Sequence, residues 1–423
     1  MINKLYDKLT LWLLVVLPIN YMVFNILLKR IPLIKYLKDF IMIALIIIVV
    51  VTVIAKGRFK LKKKDTITLL SVEGIVMIVT MRIITSSSIP DSLYTTRLLL
   101  VPLLFYFLYI IKPISEVQIL KVYRVLFYVC VILAIWGIFQ AFILGDSFLI
   151  KLNYKGSTGR LSSGFYISGF RGIQRVTSTF AAPNIYALFS NSMFLLFISV
   201  KNELNISRKK YIYGILIILL SSILTFSRSG WLGLAVGVLY YVLKHHKITK
   251  SQIKYFLLCA ILLLIFLGYL IIVNENINIA FSKLIMKTFN RTDASLLGHM
   301  DSFTSTMEMI FTNPFGYKWL GYSGPRTRLG LINYNVESSY LLIGLELGII
   351  GVIFYTLFFI GLINNKPKNK YTTGIQSAIF TTMPPLFLLP LLEEFEVITF
   401  LLIMISLTNS LGNKKNLNHS LYI

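Results

Sequence analysis

Charge is scarce in this chain. Asp, Glu, Lys and Arg together make 14% of its 423 residues, while hydrophobic residues make 56%. So much apolar surface excludes an ordinary water-soluble protein, because one aqueous core cannot hide it. Acidic side chains are scarcer than basic ones, 17 against 42, which leaves a net charge of +25. That excess does not point to nucleic acid, since the basic residues gather in short clusters between apolar runs and not along one face. Only 2 cysteines occur, Cys130 and Cys259, both inside apolar runs, so they read as small buried hydrophobes and argue against a disulfide framework. No repeat of fixed period and no low-complexity linker is visible, so residues 1–423 read as one integral membrane domain. The absence of any Asp-x-Asp pair weakens metal-dependent schemes of the common nucleotide-sugar kind, and no metal or cofactor is expected.

What the chain has in abundance is apolar runs. A helix needs about 20 mostly apolar residues to cross the hydrocarbon, fewer when its neighbours shelter it. Twelve such runs fall at 10–28, 39–55, 66–84, 97–111, 122–144, 182–200, 211–227, 229–243, 255–273, 339–363, 372–390 and 397–411. They predict an all-α polytopic membrane bundle of about twelve transmembrane helices, with a large extracytoplasmic loop, 274–338, between the ninth and tenth. The fourth, eighth and twelfth runs are short. The first lacks a small-residue cleavage site and reads as a retained helix.

Lys and Arg collect on cytoplasmic loops. With the N-terminus inside, the inner segments and their flanks hold 24 of the 42 basic residues and the short outer loops 7; the long loops 145–181 and 274–338 hold the rest. Both termini are therefore expected in the cytoplasm. The densest inner cluster, KGRFKLKKK at 56–64, is an anchor against anionic lipid.

This topology puts Arg228, in ILTFSRSGWLGL (223–234), at the outer end of a tight helical hairpin. A cation there either snorkels to the headgroups or belongs to an anion site. Other outward residues come together in sequence order on the same side. The stretch RGIQRVTSTFAAPN supplies Arg171 and Arg175, with Pro183 and Asn184 placed to open the next helix. The stretch NVESSYLLIGLELGIIG supplies Glu337 and Tyr340; its serines suit a helix cap, and Gly344, Gly348 and Gly351 suit close helix packing. A third outward group, EEFE (Glu393, Glu394 and Glu396), reads as a solvated turn. Glu73 and Glu346, inside apolar runs, read as structural pairs, with Arg82 or Arg97 as partners for Glu73. Outward tyrosines, Tyr154, Tyr166, Tyr317, Tyr322 and Tyr334, are candidates for stacking on sugar rings.

Together, Arg175 to Asn184, Thr225 to Gly230 and Glu337 to Gly351 resemble the motifs of the O-antigen ligase and polymerase (Wzy-type) superfamily. The resemblance extends to the twelve-helix plan and the large late loop. It implies a bacterial plasma-membrane glycosyltransferase working on the outer face, with undecaprenyl diphosphate-linked oligosaccharide as donor, among membrane lipids and beside a flippase and a chain-length regulator. The ligase branch carries a His in the last motif. Here Glu337 stands at that position, and the only outward histidine, His299, lies elsewhere in the loop. That departure favours the polymerase branch, which joins repeat units into O-antigen, capsule or exopolysaccharide.

A lipid diphosphate leaving an anomeric carbon builds negative charge, and guanidinium groups meet it with a permanent charge and a planar fork of donors. Arg175 and Arg228 are the candidates for that task. Glu337 is the candidate base for the acceptor hydroxyl. Arg171, Asn184, Ser227 and Tyr340 are expected to contact substrate. A ligase moving a finished glycan to another acceptor remains open, as does a lipid-linked glycan flippase, although a transporter's repeated halves are not visible.

Overall fold

The computed structural model describes residues 2–27, 31, 33–56, 66–152, 154, 159–167, 170–244, 294–323, 336–364 and 370–411. The ninth apolar run with Cys259, most of the basic cluster 56–64, Tyr334 and parts of both long loops lie outside these residues. So do the side chains of Arg171 and His299.

The architecture is all-α. Its helices are α1 (Ile2–Ile19), prolonged by a π-helical stretch (Asn20–Leu27), α2 (Leu37–Lys56), α3 (Thr66–Ile84), α4 (Ile89–Ile111), α5 (Glu116–Phe139), α6 (Gly145–Lys151), α7 (Pro183–Ser199), α8 (Arg208–Ile223), α9 (Arg228–Lys244), α10 (Ala294–Thr312), α11 (Ser339–Asn364), α12 (Lys370–Leu388) and α13 (Phe395–Leu411). The exception among the described residues is a short antiparallel pair, β1 (Tyr166–Ile167) and β2 (Phe170–Gln174), with Tyr166 opposite Gln174. Eleven of the twelve apolar runs coincide with helices. Six helical stretches among the described residues are long and apolar enough to cross a membrane: Ile2–Phe24, Ile34–Ala55, Thr66–Ile84, Ile89–Ile111, Glu116–Lys151 and Ser339–Asn364. The fourth starts earlier than its apolar run because the polar residues Asp91, Ser92 and Thr95 in its first turns are buried by the protein itself.

Small residues let the helices approach. On α9, a Cβ at Gly233 would lie 3.0 Å from Pro385 Cδ and one at Gly237 would run into the Thr381 hydroxyl, so α9 and α12 pack antiparallel at near backbone contact. Tyr240 extends that seam, stacking on Phe380 at 4.3 Å and donating to Gln376 Oε1 (2.9 Å). Helix α11 is interrupted at Gly348, whose φ of 73° only glycine adopts readily. The break is satisfied from outside the helix: Pro314 O accepts from Ile349 N (2.9 Å), and Leu345 O from Tyr317 N (2.7 Å).

Hydrogen bonds across the bundle gather the functional ends. The end of α1 accepts from Thr179 Oγ1 (2.6 Å, to Pro18 O), the start of α11 donates from Ser339 Oγ to Leu389 O (2.7 Å), and Asn20 donates to Glu396 (3.0 Å). Thus the starts of α7, α9, α11 and α13 and the ends of α1, α3 and α12 lie at one end. Glu396, from the EEFE turn, also pairs with Lys38 at 3.3 Å. Arg97 pairs with Asp39 (2.5 Å), and Arg82 donates to the Glu346 and Tyr317 carbonyls (3.0 and 2.9 Å). Neither arginine is the partner expected for Glu73, which sits on an exposed face of α3. Glu346 is buried as a structural residue, its carboxylate accepting from Ser323 Oγ (2.7 Å) and Ser323 N (3.0 Å).

Candidate functional site

The segment 175–182 is tied down residue by residue. Thr177 Oγ1 exchanges hydrogen bonds with Gln140, Ser178 Oγ donates to Leu133 O (2.7 Å) and Thr179 Oγ1 donates to Pro18 O. These hydroxyls fix the approach to α7 against α1 and α5. Pro183 then opens α7, with its missing N–H where the helix has no use for one.

Arg175 is half-buried at that entrance. Its Nε donates to Thr225 O (2.6 Å), Nη1 to Gly164 O (2.9 Å) and Nη2 to Asn184 Oδ1 (2.6 Å). Three of a guanidinium's five N–H donors are thereby used to set its plane, and two remain. Asn184, expected to cap α7 and touch substrate, serves here to hold Arg175. Burial first, and the charge of Arg228 second, lower the Arg175 guanidinium to about 10. It is charged at neutral pH, and its bond to Thr225 O sets it three residues from Arg228 along the chain.

Arg228 is the first residue of α9 and is exposed. The hairpin holding it is built from buried hydrogen bonds. Ser227 is buried, and its hydroxyl accepts from Gly230 N (3.2 Å), an N-cap contact. Ser227 was expected to contact substrate; its geometry is that of the cap that aims Arg228. Below it, Asn191 on α7 donates to Gly230 O (2.9 Å) and accepts from Ser222 Oγ on α8 (2.5 Å), joining three helices. A Cβ at Gly230 would meet Ala187 at 2.7 Å, so α7 and α9 start almost in contact. The connecting turn is strained, for Phe226 has φ of 48°, unusual for so bulky a residue, and the segment before α7 is strained as well, with φ of 54° at Ser178. Such strain collects where function constrains the backbone. Two helix starts and two guanidiniums therefore share one corner, and the unsatisfied N–H groups and dipoles of helix N-termini add to its attraction for anions.

On the other side of α9 a groove of about 390 Å³ runs between Leu232, Tyr340, Met383, Pro384, Phe387 and Leu388. Leu232 is one turn along α9 from Arg228, and Tyr340 follows the half-buried Glu337 by three positions, so the groove lies between the first turns of α9 and the start of α11. Tyr340 faces Phe387 at 6.3 Å. Arg171 belongs to β2, three residues before the segment that begins at Arg175. Sequence reading did not find Asn191 or Gly164, and it marked Thr225 only as part of the Thr225–Gly230 motif; an asparagine in an apolar run was the one available sign for Asn191, and a backbone carbonyl leaves none. Tyr154 and Tyr166 are not exposed stacking residues. They are buried with Leu149, Leu161 and Phe165, and Tyr166 donates to Asp146 Oδ2 (2.6 Å).

Fold and site define a multi-pass helical membrane protein with a cationic corner at one end of its bundle, next to an apolar groove. Residues 213–356, about a third of the chain, match the family model described as O-Antigen ligase, so this stretch is similar to that family. The matched stretch contains Arg228, Glu337 and Tyr340 and stops short of Arg175. No curated protein matches the chain.

Proposed function

We propose that the protein is a polymerase that joins undecaprenyl diphosphate-linked repeat units into a surface polysaccharide on the outer face of the bacterial plasma membrane. The observation that carries this reading is that the segments holding Arg175 and Arg228 meet: Arg175 Nε donates to Thr225 O (2.6 Å), three residues before Arg228, and α7 and α9 start almost in contact at Ala187 and Gly230. An anionic ligand between the two arginines relieves their repulsion, and a diphosphate fits two guanidinium forks. The apolar groove beside Arg228 suits the lipid end of such a donor.

In the proposed step the acceptor hydroxyl oxygen attacks the anomeric carbon. The carbon–oxygen bond to the diphosphate breaks, and its electron pair leaves with the diphosphate, whose charge Arg175 and Arg228 receive. The hydroxyl proton passes to Glu337. Displacement in one step inverts the anomeric centre. Charge stabilisation of this kind is commonly worth about 100- to 1,000-fold in rate per group.

The test is the length distribution of surface glycan in cells carrying Arg228→Ala, Arg175→Ala or Glu337→Gln at wild-type protein level. Single repeat units in place of long chains support polymerisation. Long chains stranded on their lipid carrier make the protein a ligase instead, and loss of outward units makes it a flippase.

A further inference from the structure

The turn that follows α10 brings together four side chains scattered in type but adjacent in space. Lys318 Nζ lies 4.3 Å from the Tyr322 ring centre and 5.3 Å from that of Tyr317, and it donates to Tyr322 Oη (3.0 Å). Trp319 packs edge-on to Tyr322 at 5.0 Å, and Tyr317 meets Tyr322 at 5.4 Å. Lys318 is exposed and the three aromatics are half-buried.

The turn is held more firmly than a surface loop requires. Arg82 on α3 donates to Tyr317 O, Ser92 on α4 to Leu320 O (2.9 Å), and Glu346 on α11 accepts from Gly321 N (2.5 Å) and from Ser323. Glu346 is 2% exposed. A carboxylate is costly to bury, so one spent on the backbone of a single turn marks the shape of that turn as constrained. The backbone is also strained: φ is positive at Gly316 (104°), at Lys318 (45°) and at Gly321 (93°), and Lys318 has no glycine's freedom there. An aromatic lodged at a headgroup region as a membrane anchor needs no such fixing.

We propose that this turn is a saccharide-binding platform. A glycan ring stacks its apolar C–H face on Trp319, beside which Tyr322 stands nearly perpendicular and forms a wall, and Lys318 donates to its hydroxyls, the pairing of a flat apolar surface with few polar groups that small-ligand sites use. The ligand's identity rests on the glycan-transfer reading above. Tyr317 packs in the same apolar cluster as Val336 and Leu341, which flank Glu337 and Tyr340, so the platform lies on the side of the proposed base and takes the acceptor glycan.

The test uses the full-length protein in nanodiscs and the water-soluble oligosaccharide released by mild acid from the lipid-linked units of the producing cells. Saturation-transfer NMR should show sugar protons receiving saturation from the wild type. The signal should fall at least fivefold in the Trp319→Ala, Tyr322→Ala double variant and persist in Trp319→Phe, which keeps a ring and reports on folding. It should also persist in Arg228→Ala. If Arg228→Ala leaves chain extension intact while the platform variants lose the sugar signal, the arginine mechanism fails and the platform stands. No signal from the wild type, or full signal from the double variant, overturns the platform.

Discussion

Asn184 accepts a hydrogen bond of 2.6 Å from Arg175, and that contact orients a guanidinium whose remaining donors serve the proposed diphosphate. Asn184→Ala removes the acceptor while leaving the charge. Transfer should then fall about tenfold, the size of one hydrogen bond to a charged group, with the protein folded. Asn184→Asp keeps an acceptor but introduces an anion into an anion site, so its loss should be larger, and donor KM should rise. Steady-state kinetics on purified protein checks both.

The electrostatics of Arg175 predict a pH dependence. Burial and Arg228 lower its guanidinium to about 10, so the cation is intact below that and is lost as pH rises through it. Transfer should therefore hold from pH 6 to 9 as far as this group is concerned and decline near pH 10 on the alkaline limb. Lysine starts from an ordinary value about two units below arginine's, and the same surroundings lower it as well. Arg175→Lys should shift the alkaline limb down by about two units. A pH–rate profile with the limb unmoved would show that residue 175 carries no charge used in the reaction.

Packing of α9 on α12 leaves no room for a side chain at Gly237, where a Cβ would meet the Thr381 hydroxyl and Leu195 at 2.6 Å. Gly237→Val should force the two helices apart and lower the melting temperature or the protein level, in line with the one to three kcal/mol typical of overpacking, roughly. A substitution to valine at the exposed Leu239 should do neither.

Glu346 supplies the acceptors for two backbone N–H groups and one hydroxyl of the 313–323 turn. Glu346→Ala leaves these donors buried and unsatisfied, at a cost of about 2–5 kcal/mol. The turn should become a protease-sensitive site in limited digestion. Glu346→Gln, which retains a carbonyl oxygen, should be milder.

Much of the fold is legible in the sequence because membrane spanning leaves so coarse a signature. Apolar runs of the right length located eleven helices, and the prolines and serines at 183 and 338–339 marked helix starts. The start of α4 was not legible, since its polar first turns are covered by a distant loop, and neither was the break at Gly348, which depends on what packs against it. At the candidate site, Arg175 and Arg228 stood out as charges beside apolar runs, and Arg175 is bonded to the turn that leads into Arg228, through Thr225 O. The residues that hold them did not stand out. Asn191 acts through Ser222 and a backbone carbonyl, and Arg175 is oriented by the carbonyls of Thr225 and Gly164, which any side chain could provide. Tyr317 and Tyr322 were indistinguishable by sequence from Tyr154 and Tyr166; burial separates the two pairs.

The central claim is that two arginines on separate segments receive one diphosphate. Its most direct measurement is the affinity of purified wild-type protein in nanodiscs for undecaprenyl diphosphate, compared with Arg175→Ala and Arg228→Ala. Each substitution should weaken binding by about ten- to a hundredfold, the worth of a charge-assisted hydrogen bond to phosphate. Unchanged affinity in both variants would contradict the account.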